Sequence, residues 1–97
     1  MENKKVILLV ELTLRPECVA EVLAVADQSR ARTVQEPGCE LMLRAHKAGQ
    51  PNVLVLYEVF KSKEAHEWHL QQDYAKAFFA IIECKLLSEP SVQQLEE

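Results

Sequence analysis

The segment Lys4 to Arg15 reads as a β-strand that is apolar on both sides. Val6, Leu8, Val10, Leu12 and Leu14 share one face at a period of two, while Ile7 and Leu9 open the other face before Glu11 and Thr13. One layer of helices covers only one side of a sheet, so such a strand demands a second cover. A chain of 97 residues lies near the low end of the size at which one domain buries enough surface to be stable alone. The second cover is therefore expected from another copy of the chain.

The remaining elements follow from local signals. Pro16 suits a first helical turn and Glu17 complements its dipole, and Val19, Val22, Leu23, Ala26, Arg30, Thr33 and Val34 recur at helical spacing to about Gln35. Glu36-Pro37-Gly38 stops that helix, because proline disfavours helical geometry in the residue before it. Cys39 to Lys47 alternates as a strand, with Cys39, Leu41, Leu43 and Ala45 one way and Glu40, Met42, Arg44 and His46 the other. Val53 to Lys61 is the next strand, and Ala48 to Asn52 makes a hairpin loop of about five residues. Ser62 is an N-cap for a helix from Lys63, which breaks near Gln72-Asp73 before an apolar segment, Tyr74 to Cys84. Ser88-Glu89-Pro90 ends that segment, and Ser91 to Glu97 is a short, polar last strand.

This order, joined by right-handed crossovers, predicts an α+β fold: a four-stranded antiparallel sheet with helices on one face, the ferredoxin-like arrangement, as one domain over residues 4–96. Sequence leaves open which face carries the helices.

Composition removes several classes of function. A net charge of −4 and a pI near 5.4, with no cluster of Lys or Arg beyond a pair, give no field for nucleic acid. No unbroken apolar run, Val6 to Val10 included, is long enough to span a bilayer, so a cytoplasmic protein without membrane partners is expected. Cys18, Cys39 and Cys84 form neither a disulfide framework nor a Cys-x-x-Cys site and are expected as small buried hydrophobes. The only glycines, Gly38 and Gly49, cannot build a phosphate-cradling loop or a dinucleotide turn, so no nucleotide-type cofactor is expected.

The chemistry-bearing residues concentrate in Ser62-Lys63-Glu64-Ala65-His66-Glu67-Trp68-His69. His66 and His69 are three apart on a helix and so share roughly one side. They could line a pocket and move protons, because imidazole titrates near neutral pH, or they could simply border the core. No third ligand stands at a recognisable spacing, so no metal is expected; His46, Glu58 and Asp73 are the nearest options. Trp68 either packs its helix or walls a flat aromatic ligand. Arg44 and Glu58 lie on neighbouring strands, each on the face alternate to the main apolar one, together with Glu11 and His46, and form either a salt bridge across the sheet or the polar floor of a cavity.

Glu36-Pro37-Gly38-Cys39, Pro51, Tyr57-Glu58, Phe60, Ser62, Glu64-Ala65-His66, His69 and Phe78, in this order and spacing, resemble the antibiotic biosynthesis monooxygenase domain family. The resemblance implies a ferredoxin-like domain that pairs into a dimeric α+β barrel, and cofactor-independent oxidation of a small quinol or polyphenol. On that basis His66 or His69 would accept a proton, Trp68 and Tyr57 would pack the substrate ring, Arg44 would stabilise a phenolate, and Glu58 and Tyr74 would line the pocket. Relatives often carry Pro-His-Phe where this chain has Asp73-Tyr74-Ala75, so Tyr74 replaces a third imidazole. Haem degradation, as in another branch of the superfamily, is not expected: Lys4 to Arg15 has no asparagine and no histidine follows His69. The alternatives are a non-catalytic dimer that binds a small metabolite, and an isomerase of a small phosphorylated dione.

Overall fold

The computed structural model describes residues 4–97. Strand β1 (Val6–Thr13) leads through a 3-10 turn (Pro16–Cys18) into helix α1 (Val19–Thr33), followed by β2 (Cys39–Lys47), β3 (Gln50–Phe60), α2 (Lys63–Leu70), α3 (Asp73–Ile82) and β4 (Ser91–Leu95). The sheet order is β2-β3-β1-β4 and every pair is antiparallel. This is the ferredoxin-like α+β arrangement.

Register settles which face the helices take. Leu12 stands opposite Leu54, Val10 opposite Leu56 and Met42 opposite Glu58, so these residues share one side of the sheet. That side packs on Val22 and Ala26 of α1 and on Phe78 and Ile82 of α3 to form the main core. A second apolar cluster, Val6, Leu8 and Phe60, receives Ala65 of α2. The other side, with Leu9, Leu41, Leu43, Val55 and Tyr57, has no helix on it, and Leu41 and Leu43 are 43% and 51% exposed. No helix among the described residues is long and apolar enough to cross a membrane.

Several local expectations change. The hairpin loop is two residues, Ala48-Gly49, because Gly49 takes a φ of 77° and reverses the chain without strain. The first helix begins as a 3-10 turn and closes by tightened bonds, Gln35 N–H to Arg32 O and Glu36 N–H to Thr33 O, both ahead of the proline. A register shift between Cys39 and Leu41 sets Cys39 opposite Phe60, on the helix side rather than with Leu41 and Leu43. The cysteines are not all buried: Cys18 and Cys39 are half-covered and Cys84 is exposed. Ser62 caps α2 as expected, its hydroxyl accepting the Ala65 N–H at 3.1 Å.

Candidate functional site

The site grows from the contact between the turn after α1 and the first turn of α2. Gly38 abuts α2 so closely that an added Cβ would collide with the Ala65 Cβ, and Lys61 N–H donates to the Gly38 carbonyl at 2.8 Å. Two residues earlier in the same turn, Glu36 is carried inward until it is only 6% exposed. Helix α2 meanwhile lays His66 and His69 over Phe60 of β3, whose ring lies 5.1 Å and 5.0 Å from the two imidazoles. The imidazoles stack with centroids 6.5 Å apart and planes 18° from parallel.

The two histidines then part company. His69, 5% exposed, is bonded through Nδ1 to Glu36 Oε2 at 2.8 Å. The Tyr74 hydroxyl, from α3, donates to the same oxygen, and Arg32 lies 4.8 Å over the Tyr74 ring. Glu36 Oε1 is buried and has no partner among the described residues. Glu58 is buried on the same side of the sheet; loss of water raises its pKa and the nearby Glu36 adds to this, while His69 opposes it. Burial and the hydrogen bond to Glu36 push the Tyr74 phenol up to about 12, so it stays a donor at neutral pH. Burial and then Glu36 likewise raise the Cys39 thiol.

His66 instead lines a cleft of about 720 Å³ between α2 and the β1–β4 edge. Val6, Leu8 and Leu70 give it apolar walls, and Lys4, Lys5, Lys63, Glu67, Glu96 and Glu97 supply charges of both signs. Burial, reinforced by His69, lowers the pKa of His66, so its ring is neutral and able to accept a proton at pH 7. The two roles that the sequence left joined are thus divided: His66 faces open space and His69 faces a buried carboxylate.

His66, His69, Glu58 and Tyr74 therefore come together. Three other residues stand apart. Tyr57 lies on the open side of the sheet, opposite Leu9 and Leu43, so it cannot share a substrate ring with a residue of α2. Trp68 is 52% exposed on α2. Arg44 does not bridge to Glu58, because register sets it opposite Leu56; it forms a bidentate pair with Asp27 of α1, its Nη2 donating to Oδ2 at 3.2 Å. Arg44, Glu58 and His46 also leave the face away from the main core, where they were expected with Glu11: register puts them on the helix side, while Glu11 stays on the open side and pairs with Lys47 at 3.3 Å. No group of three or more metal-ligating side chains exists among the described residues.

Glu36 is the residue that sequence reasoning passed over. A carboxylate beside Pro-Gly looks like a solvated turn, and only its place in Glu-Pro-Gly-Cys marked it.

Comparison with known proteins supports the same outline. Solved structures with this fold include a conserved protein of Methanosarcina mazei (19% identity, TM-score 0.91, covering 97% of this chain and 93% of that one). Rv0793 of Mycobacterium tuberculosis is also similar (22% identity, TM-score 0.90, covering 96% and 94%). A Caulobacter crescentus protein named for antibiotic biosynthesis monooxygenase matches at 23% identity and TM-score 0.90, covering 98% and 91%. No curated protein sequence matches. The profile of the antibiotic biosynthesis monooxygenase family matches residues 5–81, and the chain belongs to that family.

Proposed function

We propose that this chain is a cofactor-independent monooxygenase acting on a small quinol or polyphenol-type aromatic. The observation that carries the reading is His66: an imidazole whose pKa burial lowers, on the wall of a cleft with apolar and charged walls, large enough for one aromatic ring system. The phenolic proton passes to an imidazole nitrogen of His66. The electron-rich quinolate then reacts with oxygen; one oxygen atom is inserted at a ring carbon, the other leaves as water, and the quinol supplies all four electrons. Val6, Leu8 and Leu70 hold the ring and exclude water, and the raised pKa of Tyr74 keeps its hydroxyl protonated behind His69.

Oxygen consumption with a panel of quinols tests this. Turnover is expected in the wild type, with His66→Ala lowering kcat by roughly 10²-fold or more, the scale of a positioned general base. Wild-type rates in His66→Ala, or no oxygen uptake with any quinol, would sink the reading. A second reading, binding or isomerisation of a small phosphorylated dione, draws on Lys4, Lys5 and Lys63 at the cleft, against which Glu67, Glu96 and Glu97 count. It predicts thermal stabilisation by a phosphorylated dione without oxygen uptake.

The proposal includes a homodimer. The open sheet face presents Leu9, Leu41, Leu43, Val55 and Tyr57 to solvent, and a second copy laid sheet to sheet would cover them and give a dimeric α+β barrel. Sedimentation showing a monomer at micromolar concentration would contradict it.

A further inference from the structure

The Glu36 carboxylate has no part in the cleft, yet the fold takes trouble to bury it. Three elements converge on it: its own turn after α1, His69 from α2 and Tyr74 from α3. Its neighbours include a second buried carboxylate, Glu58 of β3, and the half-covered Cys39 of β2. Two acids and one imidazole enclosed together are an expensive arrangement for a purely structural purpose, since apolar side chains of similar volume would pack there without loss of hydration. A carboxylate on Nδ1 has a specific effect on an imidazole. It keeps the proton on that nitrogen, fixes the plane of the ring, and leaves Nε2 as the acceptor.

We propose that Glu36 is the positioning residue of this site, locking His69 as its Nδ1–H tautomer through Oε2 and thereby fixing the ring that stacks on His66. Tyr74 seats the carboxylate by donating to the same oxygen, so that Oε2 cannot rotate away from the ring. His69 then acts as the back wall of His66: the ring planes are 18° apart, and Phe60 touches both. Oε1 is buried and reaches no described protein group, so the carboxylate's contacts all run through Oε2. The inference rests on the reading of His66 as proton acceptor for its catalytic meaning, while the tautomer itself is independent of any activity.

Histidine-labelled nitrogen NMR on the full chain at neutral pH tests it. In the wild type, one of the three imidazoles, assigned to His69 by His69→Gln, is expected to carry its proton on Nδ1 with slow solvent exchange. Glu36→Ala is expected to return His69 to the Nε2–H form favoured by a free ring. Glu36→Gln, whose carbonyl can accept both bonds, is expected to restore the Nδ1–H signature. An Nε2–H His69 in the wild type, or an unchanged Nδ1–H signature in Glu36→Ala, overturns the proposal; the wild-type spectrum decides alone if Glu36→Ala does not fold. In quinol turnover, Glu36→Ala is expected to lower kcat about tenfold or more with KM within about twofold, as for loss of an outer-shell partner. Unchanged kcat would remove the positioning role. If the wild type oxidises no quinol, the proposed reaction fails while the spectra still decide the role of Glu36.

Discussion

Each face of the sheet makes its own exception to the rule of polar outside and apolar inside. Under the helices, beside the main apolar core, the chain buries Glu58, Glu36 and His69, with Tyr74 and His69 bonded to Glu36. On the open face it places Leu41 and Leu43 in water, with the Lys47–Glu11 pair and the Lys5–Glu40 pair at 2.9 Å among them. A buried carboxylate costs folding free energy that an apolar side chain would not, so the covered face gives up stability to hold a reactive cluster. An open apolar face costs nothing comparable to the monomer, but favours association. The proposed function places its chemistry on the covered face and the proposed self-association on the open one.

The sharpest way to break this contrast is at Phe60, which is fully buried and supports both imidazoles. Phe60→Ala is expected to destabilise the fold by about 3–5 kcal/mol through lost burial and a cavity between α2 and β3. Urea unfolding measures it; a loss under about 1 kcal/mol would mean that the second apolar cluster is not a working part of the core. Next comes Leu43→Asp at the centre of the open face. It is expected to weaken self-association roughly 100-fold, equivalent to about 2.7 kcal/mol, while leaving quinol binding in the monomer intact. Sedimentation at several concentrations reads this out, and an unaltered dimer would show that the contact lies elsewhere on the surface.

How far this division could be read from the sequence depends on the range of the interaction involved. The strand β1, the Ser62 cap, the break between α2 and α3 and the strand order are local or follow from chain connectivity, and period, capping and breakers reveal them. Arg44 shows where this stops. Its alternation was legible, but its partner Asp27 sits on α1, and only the packing of that helix over β2 brings them together. Arg44, Glu58 and His46 lie on the core side, away from Glu11, because alternation orders residues within a strand, while register against β3 decides which residues of two strands share a face. Glu36 is the extreme case: its burial follows from the contact of Gly38 with Ala65, twenty-seven residues away in the chain, so no local pattern distinguishes it from a solvated turn.

The smallest effect gives the cleanest comparison, because the same substitution can be made on both faces. Folding raises the pKa of the Glu58 carboxyl, chiefly by burial. Its stability contribution is therefore whole below its unfolded pKa and is lost as pH rises through the higher folded value. Glu58→Gln removes that loss. It is expected to raise stability, read as a higher Tm, at pH 7 and to gain nothing near pH 4. Glu11→Gln removes instead a partly exposed carboxylate paired with Lys47 across the open face. Exposed pairs contribute about 0–1 kcal/mol, so a small loss or no change is expected, diminishing further in high salt. Thermal melts of both variants at the two pH values give four shifts, of which only Glu58→Gln at pH 7 should be positive. A comparable gain for Glu11→Gln would show that carboxylates are no costlier under the helices than on the open face, and the division of labour between the two sides would fall with it.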